Sequence, residues 1–342
     1  MNLENKLLPE WLKTVPDEYF PHYKKIDLYT QYKKLKDYLL ENVHKEVTIG
    51  ANLKDPDMLL NDHGPDHIET VISRASYLVD DCSCNLTPYE VYFLLCCIEL
   101  HDVGNIFGRY NHEQNADSIM TEARGICGKD TVEAITIKKI AESHGGKLAN
   151  GNKDKITYLE ETTETFYGTI RPRLIASILR FADELADDKT RSYKKLLIQG
   201  KLPKKSEVFH AYAMCLESVK IDHKESSIKL NFQIPDNFLK KTFGKLDEEI
   251  FLIDEIYERL LKMHIENTYC MRFTKNQFNI EKIRADINFY NAKELKYTFP
   301  RMTFNIEENG YPQHKWDIFK MCPELISDGC RLDGNYFFNK QI

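Results

Sequence analysis

Histidine and aspartate residues with the chemistry of metal ligands are concentrated between positions 63 and 183 of this 342-residue chain. An adjacent pair, His101-Asp102, follows a strongly apolar run. Two adjacent side chains cannot hold an ion alone, so other residues must complete the coordination shell. The candidates for this role are His63, His67, His112, His144 and Asp183.

Imidazole and carboxylate ligands together favour a borderline divalent ion such as Mn, Fe, Co, Ni or Zn. The nine cysteines include no matched CxxC pairs, which argues against structural zinc and favours a catalytic site. A catalytic ion lowers the pKa of bound water, and a second ion about 3.5–4 Å away can clamp the attacking and leaving oxygens of a phosphoryl group. The ligand types therefore predict hydrolysis of a phosphate ester with one or two divalent ions as cofactor.

The overall charge gives no electrostatic argument for a nucleic-acid-binding protein. The 47 basic and 53 acidic residues give a formal net charge of -6, and short lysine runs such as residues 201–205 are typical of solvated surfaces. The longest apolar run, residues 91–100, has about half of the roughly 20 residues that a membrane span needs, and it contains Glu99. We expect a small phosphorylated substrate, in the first place a nucleotide, and no membrane partner, while a nucleic-acid partner and a homo-oligomer stay open.

The N-terminus lacks the basic start and unbroken apolar stretch of a secretory signal. Because the cysteines also show no disulfide framework, we expect a cytoplasmic protein with reduced thiols.

Helix start and stop signals place the candidate ligands near helix ends. Residues 29–40 have helical periodicity and belong to a helical N-terminal extension. Asp66 is predicted to cap the first helix after it, Thr87 to open the second, and Pro172 to lie in the first turn of the last. The predicted helices cover approximately residues 66–79, 88–101, 111–123, 130–143 and 172–187.

The hydrophobic period changes after a lysine-rich connection at residues 189–205. Residues 208–219, 221–222 and 227–234 alternate as strands do. A long amphipathic helix is predicted over residues 246–265, followed by strands around 285–289 and 295–306. The expected fold class is therefore mainly α, with a helical bundle followed by a smaller α+β C-terminal region.

The chain resembles the HD-domain superfamily of metal-dependent phosphohydrolases, whose ligands follow the order H…HD…D, often extended to H…HD…H…H…D. The matching segments are NDHGPDHIETV, IELHDVGN, NHEQNADSIM, AESHGG and LRFADELADD, within about residues 60–190. The resemblance implies an HD-type helical bundle over residues 51–195. A helical N-terminal extension at 1–50 precedes it, and an α+β accessory region at 206–342 follows it.

The resemblance also implies a role for each matching residue. His112 and His144 match the additional histidines of the two-metal members, in which Asp102 is expected to bridge the two ions. The nucleophile is expected to be water or hydroxide, with His101 and Asp102 at the catalytic centre and no covalent enzyme intermediate. The first ion would be held by His67, His101, Asp102 and Asp183.

Three residues outside this ligand set are candidates for binding the substrate. His63 lies four residues before His67, but a Gly-Pro pair separates them, and proline suits a helix start better than a helix interior. We therefore expect His63 on an entrance loop, near the substrate phosphate or supporting a ligand. Arg109 and Arg191 lie close to the motifs in sequence, and an arginine can bind a phosphate through two hydrogen bonds.

The leading hypothesis is a phosphohydrolase that acts on a nucleotide or another small phosphorylated molecule. A deoxynucleotide triphosphohydrolase is an alternative, which is weakened because Asn105 stands where an HDxGHxPF segment has its second histidine. Another alternative is an HD-fold nucleotide-binding regulator or effector, whose α+β region senses a ligand or binds a partner. The retention of a full ligand set favours catalysis, since a pure binder does not need an open hydrolytic site.

Overall fold

The computed structural model describes residues 1–16, 19, 27–52, 57–61, 63–81, 83–110, 112–127, 130–274, 277–308 and 316–340. The chain divides into two units. The first comprises Met1–Lys54, Asp62–Ala186 and Cys270–Phe278, and the second comprises Asp55–Asn61, Asp187–Tyr269 and Asn279–Ile342. Helices dominate the first unit, and a mixed sheet with helices forms the second. The predicted fold class is thereby confirmed.

Helices form most of the first unit. A π-helical turn, Leu40–His44, joins its second helix to the third, and one short antiparallel hairpin, which the sequence did not indicate, lies before the last helix. The elements are α1 Leu8–Thr14, α2 Leu28–Leu39, α3 Lys45–Asn52, α4 Pro65–Val79, α5 Pro88–Leu100, α6 Asp117–Cys127, α7 Thr131–Glu142, β1 Thr163–Thr165, β2 Gly168–Ile170 and α8 Pro172–Glu184.

Helix α5 forms the centre of the first unit. Its N-cap Thr87 forms a capping box with Glu90, as the Thr-Pro start signal predicts. Every residue from Tyr89 to Leu100 is buried, since α1, α2, α4, α7 and α8 all pack against this helix. A helix that is apolar on all sides needs such complete coverage. Among the helices that the structure describes, none has the length and apolarity needed to cross a membrane.

The structure corrects three of the predicted helix ends. The N-cap of α4 is Gly64, with Pro65 as the first helical residue, so Asp66 lies inside the first turn instead of capping it. Helix α8 ends at Glu184, three residues before the predicted end. The helix predicted over residues 111–123 is α6, which begins only at Asp117 and follows a 3₁₀ turn, His112–Gln114; residue 111 lies outside the described residues.

The second unit is built around a mixed sheet. Strand β4 pairs antiparallel with β3 and parallel with β7, and β7 pairs antiparallel with β8 and β9. The parallel β4–β7 pair is connected through a long helix, α11, as a parallel pair requires. The elements are α9 Lys194–Ile198, α10 Glu207–Cys215, β3 Leu216–Asp222, β4 Ser227–Pro235, β5 Thr242–Lys245, β6 Glu248–Phe251, α11 Leu252–Thr274, β7 Lys282–Asn291, β8 Lys296–Tyr297, β9 Met302–Glu307, α12 Ile318–Met321, β10 Ile326–Ser327, β11 Cys330–Arg331 and α13 Gly334–Asn339. The residues of α11 from Cys270 onward belong to the first unit.

Part of the strand prediction for this unit is wrong. Residues 208–215 belong to α10, and the strand begins only at residue 216. The buried residues Val208, Ala211, Tyr212 and Cys215 recur at helical spacing. The alternation of apolar and polar residues that predicted a strand here is therefore not the pattern that the fold follows. The long helix is also displaced from its predicted span of 246–265, because residues 248–251 form β6 and α11 continues to Thr274. The strands predicted at 227–234 and 285–289 are confirmed as β4 and β7.

Candidate metal centre

The first unit presents the candidate ligands from the ends of its helices. His67 lies in the first turn of α4, and His101 directly follows α5, with Asp102 next in the chain. His144 lies two residues beyond the end of α7, and Asp183 lies in the last turn of α8. His112 begins the 3₁₀ turn before α6. Helix ends are rigid platforms, so these side chains are held in place by the packing of the bundle itself.

Two buried triads have ligand atoms that all lie within 4.8 Å of one another: His67-His101-Asp102 and Asp102-His112-His144. Asp102 belongs to both. Its Oδ2 lies 3.7 Å from Nε2 of His67 and 3.5 Å from Nε2 of His101. Its Oδ1 lies 3.1 Å from Nε2 of His112 and 3.8 Å from Nε2 of His144. Each carboxylate oxygen therefore faces a different pair of histidines, and both triads could hold a metal ion.

Asp183 adds a second carboxylate to the first triad. Its Oδ1 lies 3.2 Å from Nε2 of His67 and 3.7 Å from Nε2 of His101. The structure thus brings six residues of the predicted ligand set together within the first unit. Four of them surround one position, and three surround the other, since Asp102 is shared.

Hydrogen bonds to backbone carbonyls fix the orientation of three of the histidine rings. Nδ1 of His101 lies 2.7 Å from the Ile98 carbonyl oxygen, and Nδ1 of His112 and His144 lie 3.1 and 2.6 Å from carbonyl oxygens three residues earlier. A carbonyl oxygen only accepts, so each Nδ1 carries the hydrogen and each Nε2 turns towards the carboxylates. This is the usual arrangement of metal-binding histidines, whose other ring nitrogen donates to a protein acceptor.

The donor set fits a divalent cation. Nε2 of His101 is buried, and no described residue forms a hydrogen bond with it. A buried polar atom without a partner is costly, and imidazole lone pairs that face carboxylates repel them unless a proton or cation lies between. The position between the Nε2 atoms and the carboxylate oxygens is therefore best stabilised by a positive charge.

The protonation states of this cluster also suit a metal ion. Burial raises the pKa of Asp102, but His101 and His112 outweigh it and hold the pKa well below its usual value. The pKa of Asp183 is likewise held low, because the neighbouring His101 and His67 outweigh its burial. Burial and the proximity of His101 lower the pKa of His144 to about 3. At neutral pH both carboxylates are thus ionised and His144 is neutral, as metal binding requires.

His101 behaves differently from His144. Its burial lowers the pKa, but the neighbouring charges of Asp102 and Asp183 outweigh burial and raise the pKa to about 9. In the metal-free protein, His101 is therefore protonated at neutral pH. A metal ion at this position must displace that proton.

A close backbone contact brings His112 to the dyad. A Cβ atom at Gly104 would lie 1.8 Å from the carbonyl oxygen of His112, so no larger residue fits there without moving the chain. Gly104 lies in the 3₁₀ turn Val103–Phe107, directly after Asp102. The glycine of the HDVG segment therefore lets two stretches of backbone that both carry ligands come into contact.

The sequence did not identify Glu113 as part of this site. It is buried, and its Oε2 lies 3.2 Å from Nδ1 of His112, on the side of the ring opposite Asp102. It also packs against Gly146, where a Cβ atom would lie 1.6 Å from Oε1 of Glu113. Gly146 follows His144 closely in the chain, so Glu113 contacts the segments that carry the two histidines of the second triad. In the sequence, only its position directly after His112 could have indicated that Glu113 belongs to the site.

The predicted substrate-binding residues are placed in different parts of the molecule. Arg109 lies beside the cluster, with Nη1 3.9 Å from Oδ1 of Asp102 and a half-exposed side chain. His63 lies in the loop before α4, where its backbone N–H donates to Oγ1 of Thr48, and its ring centroid is 5.7 Å from that of His67. Arg191 belongs to the second unit, where it pairs with Asp187 at 2.9 Å; its role stays a prediction.

Sequence comparison agrees with this arrangement of helices and ligands. A family model described as HD-CE matches residues 20–262, which is well over half of the chain. The chain belongs to the HD-CE family. The HD-CE match contains every residue of the two triads, and it confirms the resemblance to an HD-type domain. No curated protein matches the chain.

Proposed function

We propose that this HD-CE protein is a metal-dependent phosphohydrolase that cleaves a phosphate ester of a nucleotide or another small phosphorylated molecule. The observation that carries the proposal is the position of Asp102, whose two oxygens face two separate pairs of histidine Nε2 atoms. A buried, ionised carboxylate shared between two ligand groups is suited to holding cations next to each other.

In this proposal a first ion would be held by His67, His101, Asp102 and Asp183, and a second would be held by Asp102, His112 and His144. A bound divalent ion lowers the pKa of water and withdraws charge from a phosphoryl oxygen, which are the two requirements for attack by water at neutral pH. The protein holds the ligands in a buried cluster, where electrostatic interactions are stronger than in bulk water. No side chain is required as a covalent nucleophile.

Arg109 and His63 are proposed to bind the substrate. The guanidinium group of Arg109 lies at the edge of the cluster, and its half-exposed side chain can reach an incoming phosphate. His63 lies in the loop before α4, with its ring centroid 5.7 Å from that of His67. Arg191 is kept as a further candidate from the sequence alone. We also propose a cytoplasmic location, which the free thiols of Cys84, Cys215 and Cys322 support.

The two alternatives have less support. Asn105, which replaces the second histidine of the HDxGHxPF segment, is fully buried and accepts a hydrogen bond from Arg109 at 3.3 Å. The residue at the histidine position of a deoxynucleotide triphosphohydrolase is therefore an asparagine here, and it holds the side chain of Arg109. A nucleotide-binding regulator without turnover would not need ionised carboxylates facing four imidazole groups.

The test is a screen for phosphate release from nucleoside mono-, di- and triphosphates and cyclic nucleotides, with each candidate divalent metal added. We expect at least one substrate to be hydrolysed by the wild-type protein and not by Asp102→Ala. Equal turnover by both proteins would defeat the assignment. Tight nucleotide binding with neither bound metal nor turnover would instead favour the regulator.

A further inference from the structure

The guanidinium group of Arg109 lies beside the position that a second metal ion would need. Its Nη1 donates a hydrogen bond to Nε2 of His112 at 3.4 Å and lies 3.9 Å from Oδ1 of Asp102. Nδ1 of His112 carries the ring hydrogen, because it donates to the carbonyl oxygen of Arg109. A guanidinium N–H only donates, so in this contact Nε2 accepts through the lone pair that would also bind an ion. Oδ1 of Asp102 lies 3.1 Å from the same Nε2.

The guanidinium group and a second ion therefore exclude each other. One lone pair cannot accept a hydrogen bond and bind a metal at the same time. An arginine also keeps its positive charge at all physiological pH values, so it repels a divalent ion placed at the same carboxylate oxygen.

The surroundings of Arg109 allow it to move. Asn105, which is fully buried, holds the guanidinium group through its Oδ1 at 3.3 Å. The arginine side chain itself is 48% exposed, so it can turn towards solvent without opening the core. An anionic phosphate at the cluster edge would offer it two charge-assisted hydrogen bonds in place of these contacts.

We propose that Arg109 closes the second metal position of the resting protein, and that binding of a phosphate group releases it so that the second ion can enter. The inference rests on the metal site of the proposed function. It gives Arg109 two states, one bound to His112 and Asn105 and one bound to the substrate phosphate. The protein would bind one ion alone and two ions together with a phosphorylated ligand.

The experiment is a titration of the metal-free full-length protein with Mn²⁺, followed by calorimetry and by electron paramagnetic resonance, which detects pairs of coupled ions. We expect one ion per chain in the wild-type protein, and two when inorganic phosphate is added. Arg109→Ala should bind two ions without phosphate, with affinity for the second raised about tenfold or more. Arg109→Lys keeps the charge and should bind one.

Two further variants sharpen the comparison. Arg173→Ala removes an arginine of the same unit that donates to the backbone carbonyls of Leu159 and Thr157, and it should bind one ion, as the wild type does. In the double variant Arg109→Ala/His112→Ala the second ion should be lost again, because its imidazole ligand is missing. Circular dichroism checks that each variant is folded.

Several outcomes would overturn the inference. Two ions in the wild-type protein without phosphate, or a single ion in folded Arg109→Ala, would show that Arg109 does not close the site. A wild type that still binds one ion in the presence of phosphate would show that phosphate does not release Arg109. If neither protein binds any ion, the proposed function fails as well, so the two failures are distinguishable.

Discussion

Oδ1 of Asp102 lies 3.1 Å from Nε2 of His112, while Oδ2 of the same carboxylate faces His67 and His101. One side chain therefore contacts both histidine groups of the cluster. Loss of any single histidine alters one of the two groups, whereas loss of Asp102 alters both.

Metal binding should release a proton from His101. Its pKa of about 9 in the metal-free protein means that a proton occupies the ring at pH 7, and a metal ion must displace it. We expect the apparent metal affinity to rise about tenfold per pH unit between pH 7 and 9 and to level off above pH 9. Calorimetry in buffers of different ionisation enthalpy measures the number of protons released. An affinity that does not change over this range would contradict the assignment.

Gly104→Ala should destabilise the protein. The added Cβ would meet the backbone carbonyl oxygen of His112 at 1.8 Å, and backbone cannot move aside as a flexible side chain can. We expect the free energy of unfolding to fall by about 1–3 kcal/mol and binding at the His112 triad to weaken. Chemical denaturation measures the first effect.

Gly125→Ala is the matched control for this substitution. Gly125 lies in α6, and a Cβ atom there would meet nothing within 4 Å. The control should gain about 0.5–1 kcal/mol from the higher helix propensity of alanine. Equal effects of the two substitutions would show that the close contact at Gly104 does not constrain the chain.

Glu133 should make the protein less stable as the pH rises. Burial raises the pKa of this side chain to about 7, although Tyr89 and Tyr92 donate hydrogen bonds to it. Between pH 4.5 and 7 the folded state therefore holds a proton that the unfolded state has lost, and stability falls by up to about 1.4 kcal/mol per pH unit. Glu133→Gln cannot ionise, so its free energy of unfolding should fall less steeply over this range. Parallel slopes for both proteins in chemical denaturation would refute this.

Helix boundaries could be read from the sequence where a capping residue marks them. Thr87 opens α5 as predicted, and Asp130, the predicted first residue of α7, is its N-cap, since these side chains satisfy backbone N–H groups at the helix start. Asp66 failed as a cap because Gly64 and Pro65 already begin α4. The strand predicted from residue 208 was wrong because an apolar run of this length can form either a short buried helix or a strand. Only the packing in the folded protein distinguishes the two.

The site was predictable to the extent that its residues form a pattern in the sequence. The ordered histidines and aspartates indicated which side chains would meet, and the bundle places six of them in one cluster. Glu113, Asn105 and the close contact of Gly104 depend on the path of the chain between Asp102 and His112. That path is set by tertiary packing and not by a periodic signal, so the contacts of these residues could be found only in the structure.

The central claim is that Asp102 holds the metal on which hydrolysis depends. The most direct test compares the metal content of the purified wild-type protein, Asp102→Asn and Asp66→Asn after loading with Mn²⁺ and dialysis. Asp66 is exposed in the first turn of α4, beside His67, so its substitution controls for loss of charge near the site. We predict that Asp102→Asn loses more than about 100-fold in affinity, while Asp66→Asn retains its ion. Full metal retention by folded Asp102→Asn would contradict the account.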